Sequence, residues 1–131
     1  MTIDPHPPGE GDRFLPERAP IDSYGNGGFR FAGMSHRGSL LCFPDGIWAW
    51  PIGHVGELSA QSLAPALDRA DRLDFFLLGG GRDPFVLPEP LQTRFRELSL
   101  SVDTMPTGAA VHTWNILLAE GRRVGAGLIA V

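Results

Sequence analysis

A chain of 131 residues, 43% hydrophobic and 20% charged, is long enough for one buried core and has no apolar run near the roughly 20 residues that cross a bilayer, so one domain without membrane insertion is expected. Its formal net charge of −4 leaves no basic stripe to neutralise a phosphate backbone, which sets nucleic acid aside as a partner. All eleven basic residues are arginine and Cys42 is the single cysteine, which excludes a Schiff-base or P-loop lysine, an intrachain disulfide and a cysteine-based zinc site, and reads Cys42 as a small buried hydrophobe.

Residues 1–20, "MTIDPHPPGEGDRFLPERAP", hold five prolines, two glycines and four acidic residues. They lack the apolar stretch of a secretory signal, and their acidic character does not suit a mitochondrial presequence, so a flexible arm is expected there, with Phe14 and Leu15 docking locally. A single α/β domain is expected over 21–131. "YGNGGFRFAGMSHRGSLL" reads as a glycine-rich entry into a sheet, followed by two short strands, "FRFAGM" and "GSLLCFP", around an "SHRG" turn. "CFPDGIWAWPI" sets Asp45-Gly46 between two apolar segments, a two-residue hairpin signal, and its alternation puts Trp48 and Trp50 on one face.

In "LSAQSLAPALDRA", Ser59 is placed to cap a helix that Leu58 and Leu63 staple and Pro65 shortens. "DFFLLGGG" is an apolar strand of the kind buried on both faces of a sheet. "LPEPLQTRFREL" spaces Leu91, Phe95 and Leu98 along one helical stripe, with Glu89 in its opening turn. "LSLSVDTM" alternates in period two, and "TGAAVHTWNILLAEG" reads as a covered helix capped by Thr107 and stopped by Gly121. "RVGAGLIAV" closes the chain as a strand. A hairpin region followed by α, β, α, β, α, β, joined by right-handed crossovers, gives an α/β domain with a central mixed or mostly parallel sheet and helices packed on it.

The glycine-rich stretches depart from the known phosphate-binding motifs. "YGNGGFRF" lacks the Gly-Lys-Ser/Thr ending of a P-loop and precedes a strand, whereas a phosphate cradle opens a helix. "LLGGGRDP" sits at a strand end but lacks the third glycine of a dinucleotide fingerprint, which leaves Gly79, Gly80, Gly81 and Arg82 either as a tight strand exit or as an anion-binding turn. The four histidines, His6, His36, His54 and His112, share no helical metal-ligand spacing, so no metal is expected. "GMSHR" has Arg37 where a nucleophile elbow needs its second glycine, so a hydrolase triad at Ser35 is unsupported and no catalytic residue is assigned. Arg30, Arg37, Arg122, Arg123, Thr107, Thr113 and Asn115 are polar residues set in apolar elements, where they need partners; for Thr113 and Asn115 these are internal hydrogen bonds or a ligand.

"GGFRFAGMSHRGSLL", "LLGGG" and "MPTGAAVHTWNILLAEGRRVGAGLI", in this order and spacing, resemble a family of small bacterial and archaeal domains of unknown function that includes mitochondrial complex I assembly factor 3. The resemblance covers residues 21 to 131. It implies a compact three-layer α/β domain with a central mixed sheet and an added β-hairpin layer. Members of that family often carry Met-Asp-Thr before the last helix and Cys-Arg-Thr-Tyr-Asn within it. Here those places hold Met105-Pro106-Thr107 and Val111-His112-Thr113-Trp114-Asn115, so a carboxylate, a thiol and a guanidinium are lost together.

These changes suit a packing or binding role better than chemistry. The leading expectation is a cytoplasmic, non-enzymatic interaction protein without a cofactor, whose partners by resemblance include respiratory-complex subunits or assembly proteins. Phe29, Arg30, Arg37, Trp48 and Trp50 are its expected docking patch. The competing expectation is a small-molecule or anion-binding enzyme. It would use Gly79, Gly80, Gly81 and Arg82 with Thr107, Thr113 and Asn115 at the last helix, and His36 or His112 as acid or base. A homodimer that buries the hairpin tryptophans across a two-fold axis is the third.

Overall fold

A computed structural model describes residues 13–15 and 17–131. Nine strands and three α-helices follow one another among them. The strands before the first helix are β1 (Arg13–Leu15), β2 (Ser23–Gly25), β3 (Gly28–Phe31), β4 (Met34–Arg37), β5 (Ser39–Phe43) and β6 (Gly46–Trp50). Then come α1 (Ala64–Leu67), β7 (Phe75–Gly79), α2 (Glu89–Glu97), β8 (Ser101–Met105), α3 (Thr107–Ala119) and β9 (Val124–Leu128). Six strands form a mixed sheet in the order β1-β6-β5-β9-β7-β8, and β2, β3 and β4 form a separate antiparallel sheet. The β7, β8 and β9 strands run parallel; β9 meets β5 antiparallel.

Period-two alternation divides the core between the two faces of the large sheet. Leu41, Phe43, Trp48, Trp50, Phe76 and Leu78 point to one face, under α1 and the Leu91 and Phe95 side of α2. Leu40, Cys42, Ile47, Leu77, Ala126 and Leu128 point to the other, under Val111 and Trp114 of α3 and Phe29 and Phe31 of the small sheet. The expected three-layer α/β architecture is therefore present. Helices α2 and α3 lie on opposite faces because the chain moves from β7 outward to β8 and then back past β7 to β9, and right-handed crossovers in opposite directions demand it. Each fully covered Phe or Leu contributes about 1.5–3 kcal/mol of hydrophobic stabilisation.

Glycines in β9 permit this packing. A Cβ at Gly127 would lie 2.8 Å from the Trp50 ring, and one at Gly125 would lie 2.9 Å from Phe43, so the aromatic side chains rest directly on the strand's backbone. The apolar run "DFFLLG" is the interior strand it was expected to be, parallel to both neighbours.

Several local expectations shift. The "FRFAGM" segment is not one strand. The chain turns at Ala32-Gly33, both at positive φ (49° and 75°), so "SHR" belongs to β4 and the turn expected there is strand. Asn26-Gly27 (52° and 78°) forms a matching two-residue turn between β2 and β3, with the backbone twist that tight hairpins prefer. The β5–β6 hairpin turns through Pro44-Asp45, with Gly46 already paired to Phe43, one residue earlier than expected. Ser59 caps the turn before α1, its hydroxyl accepting from Ser62 N–H at 3.0 Å, while α1 itself starts after Leu63 with Pro65 in its first turn. Leu98 lies beyond α2 and is 44% exposed; Leu100 takes the core position instead.

In the stretch expected to be an arm, residues 1–12 and 16 lie outside the described part. Arg13–Leu15 pairs with β6 as the sheet's edge, Phe14 lies 4.8 Å from the His36 ring, and Leu15 packs against the core beside α3. The α3 helix ends as expected at Gly121 (φ 73°): Gly121 N–H donates to Leu118 O and Arg122 N–H to Leu117 O, both at 3.0 Å.

Candidate functional site

The carboxyl ends of parallel strands are where α/β sheets usually hold ligands, in the crevice where successive connections depart to opposite faces. Here that point lies between β7 and β8, because α2 leaves on one face and α3 on the other. It is closed. Gly80 N–H donates to Met105 O at 2.9 Å, extending the ladder past the strand end. Gly81 N–H donates to Thr107 Oγ1 at 2.9 Å, and the same hydroxyl donates to Ile129 O at 2.7 Å. Thr107 is fully buried at the first turn of α3. It does not cap the helix as expected; it ties the exits of β7 and β9 to the helix start. The amides of Gly80 and Gly81 are spent inside the protein, and the Phe85 ring covers Gly80, so they form no anion cradle.

Thr113 and Asn115 are also turned inward. Thr113 Oγ1 donates to Ala109 O at 2.9 Å, one turn back along α3. Asn115 accepts from Ile21 N–H at 2.8 Å and donates to Ile21 O at 2.9 Å, imitating a strand partner for the segment that enters β2. Beside it, Trp114 Nε1–H donates to Ala19 O at 3.0 Å. Of the expected ligand residues, Gly80, Gly81 and Arg82 do border an open crevice of about 360 Å³ with His54, Phe85 and Val131, but Thr107, Thr113 and Asn115 do not reach it. The histidine there is His54, not His36 or His112, and its Nδ1 accepts from Gly56 N–H at 2.9 Å. Among the described residues no three His, Cys, Asp or Glu side chains converge as a metal site. Burial pushes the Cys42 thiol pKa upward, so it stays protonated.

The expected docking patch divides into surface and scaffold. Phe29, Trp48 and Trp50 are each 2–3% exposed and belong to the core. Trp50 rests on Gly127 and donates its indole N–H to Ser62 O at 2.9 Å. Trp48 is covered by Arg69, whose guanidinium lies 4.9 Å from that ring and 4.4 Å from Phe43 while its Nε and Nη2 pair with both carboxylate oxygens of Asp45. The two hairpin tryptophans share a face as alternation foretold, but the face is internal, so they offer no surface to a partner or a two-fold mate.

Arg30 and Arg37 are different. In the small sheet, Ser23 pairs with Arg30, Arg30 with Ser35, and Gly28 with Arg37, and paired residues of an antiparallel sheet project to the same side. One face therefore carries Ser23, Arg30, Ser35 and Arg37 to solvent, while the opposite face directs Phe29, Phe31 and Met34 inward. His36, on that inner face, is half-buried; burial lowers its pKa and a hydrogen bond with the Ser39 backbone partly offsets this. The outer side forms a shallow groove of about 420 Å³ whose walls include Ser23, Tyr24, Arg30, Ser35, His36 and Arg37.

Sequence reasoning missed several residues that build this region. Tyr24 lays its hydroxyl over Gly108 at the start of α3, where any Cβ would meet it. Ser39 Oγ accepts from Ala130 N–H at 3.0 Å, and Val131 O accepts from Gly27 N–H at 2.7 Å, so the chain beyond β9 is sewn to β5 and to the small sheet. Only the "NG" pair at Asn26-Gly27 carried a local signal.

Comparisons place these features in a family. An uncharacterised protein from Rhodobacter capsulatus is 39% identical over 84% of this chain and 83% of its own length. Mouse NADH dehydrogenase [ubiquinone] 1 alpha subcomplex assembly factor 3 is 29% identical over 88% of this chain; the match spans 62% of that protein's length. A crystal structure described as an outer membrane protein from Bartonella henselae superposes with a TM-score of 0.84 at 48% identity, covering 88% of this chain and 98% of the other. Among the described residues no helix is long and apolar enough to cross a membrane. Residues 21–129 match the family of proteins of unknown function DUF498/DUF598, and the chain belongs to that family.

Proposed function

We propose that this protein is a non-enzymatic interaction domain that assists the assembly of a multi-subunit respiratory NADH dehydrogenase. The similarity to the mouse assembly factor carries this reading, because it extends over 88% of the chain rather than over one motif. The hydrogen bonds that tie Gly80 to Met105 and Gly81 to Thr107 support it, since they leave the exit of β7 without free amides for an anionic ligand. Binding falls to the outer face of the small sheet, with Arg30 and Arg37 as contacts and Phe29 and Phe31 as the packed support beneath, while Trp48 and Trp50 pack on the far face of the large sheet.

The test is genetic and biochemical. Deleting the gene in its source cell is expected to lower the amount of fully assembled NADH dehydrogenase on native gels, with partly assembled intermediates accumulating. The wild-type gene restores it. A deletion strain with the normal amount of assembled, active enzyme overturns the reading.

A further inference from the structure

We infer that the outer face of the small sheet receives an extended, acidic segment of a partner protein, with carboxylates at alternate positions set against Arg30 and Arg37. The inference rests on the interaction reading above and gives it a chemical partner class.

The charge balance of the face comes first. Among the described residues Arg69, Arg72, Arg96 and Arg123 each pair with a carboxylate, whereas Arg30 and Arg37, like Arg18, Arg82, Arg94 and Arg122, pair with none; Arg30 and Arg37 alone of these share one sheet face. Arg37 Nη1 reaches only the Asn26 carbonyl, at 3.4 Å. The groove between them has no acidic wall residue. Asp22, next to Ser23, alternates to the other side of the strand and borders a neighbouring depression with Gly108 and His112. In a protein of net charge −4, two exposed, like-charged guanidinium groups thus share one small face without a carboxylate partner among the described residues.

Spacing narrows the partner. Arg30 faces Ser35 across the ladder, and Arg37 is two residues beyond Ser35, so the arginines occupy diagonal positions about 7–8 Å apart. Same-face side chains of an extended strand repeat at about 6.6–6.8 Å, so carboxylates two residues apart match the pair. Each guanidinium presents a planar fork suited to a carboxylate, and the Ser23 and Ser35 hydroxyls flank them as further donors. A second copy of this chain would set arginine against arginine across a two-fold axis, and two charges are too few to hold a nucleic-acid backbone against salt.

The probe is the peptide Thr-Glu-Thr-Glu-Thr-Glu-Thr, titrated into the isotope-labelled full chain and followed by amide chemical shifts, beside the same peptide with Gln for Glu. The expected result is shifts confined to residues around Ser23, Arg30, Ser35 and Arg37, weakening steeply from about 20 mM to about 500 mM salt. Arg30→Ala and Arg37→Ala each reduce affinity up to about fivefold, the upper range for an exposed ion pair. The Arg30→Glu, Arg37→Glu double variant, with its far-side shifts unchanged to certify folding, prefers a Thr-Arg peptide. Equal binding of the Glu and Gln peptides, shifts that map elsewhere, concentration-dependent self-association through this face, or tighter binding to anionic phosphatidylglycerol vesicles than to the peptide would each overturn the inference. Loss of peptide binding with an intact assembly phenotype removes this surface alone; peptide binding with normal assembly in the deletion strain removes the assembly reading alone.

Discussion

Asn115 holds both main-chain polar groups of Ile21, accepting from its N–H at 2.8 Å and donating to its carbonyl at 2.9 Å across 94 residues of sequence. One side chain of α3 thereby replaces a strand partner for the segment that leads into the small sheet. The face bearing Arg30 and Arg37 depends on that anchor, because Ile21 immediately precedes the Asp22 amide that continues the ladder to Arg30 O at 2.8 Å.

Asn115→Asp is therefore the informative change. It keeps an acceptor for Ile21 N–H but loses the donor and opposes a carboxylate to the Ile21 carbonyl. A loss of about 1–3 kcal/mol is expected in urea unfolding, the usual cost of leaving a covered polar group without its partner. Asn115→Ala should cost a similar amount, and both variants should broaden or shift the β2 amide signals before those of β7. An unchanged unfolding midpoint would show that the contact has no energetic weight.

This clamp also marks where sequence reading stops. The apolar β7 strand, the helix spacing of Leu91 and Phe95, the Gly121 stop and the α/β order were legible because each rests on local periodicity or on backbone conformation. Asn115, Ser39 and Tyr24 act on chain that lies 80 or more residues away, and no local pattern encodes such a pairing. Trp48 and Trp50 show the same limit from another side. Alternation gave their common face correctly, but whether that face met water depended on Arg69 and on the glycines of β9, which only the tertiary arrangement brings there. For the candidate site, Arg30 and Arg37 were legible as misplaced charges; their common face was not, because it required the Ala32-Gly33 turn that put them on neighbouring strands.

Thr107 offers a second test, of the seal at the ends of β7 and β8. Thr107→Val keeps the branched shape but removes the acceptor for Gly81 N–H and the donor to Ile129 O, so it should destabilise the protein by about 2–4 kcal/mol, two unsatisfied groups at roughly 1–2 kcal/mol each. Thr107→Ser keeps both hydrogen bonds and should lose only the methyl packing, about 1 kcal/mol. Urea denaturation of the two variants separates a hydrogen-bonding role from a steric one: a Ser variant that loses more than the Val variant would assign Thr107 to packing. Faster amide exchange at Gly81 in the Val variant is the accompanying local sign.

His36 supplies the pH dependence. It sits half-buried on the inner face of the small sheet against Phe14, and its folded-state pKa lies below the ordinary histidine value because burial disfavours the imidazolium. The unfolded chain consequently binds a proton at higher pH than the folded one. Stability contributed by the neutral ring is complete above the unfolded pKa of about 6.5, falls as pH drops below it, and levels off once pH passes beneath the folded pKa. His36→Gln should flatten that part of the curve: the difference in unfolding free energy between wild type and variant is expected to move in the variant's favour from pH 7.5 to 5.5, because only the wild type must keep a partly buried ring neutral or bear the cost of charging it. A histidine titration by NMR checks the cause directly, and a His36 midpoint at or above the ordinary value would overturn the explanation whatever the stability curves show.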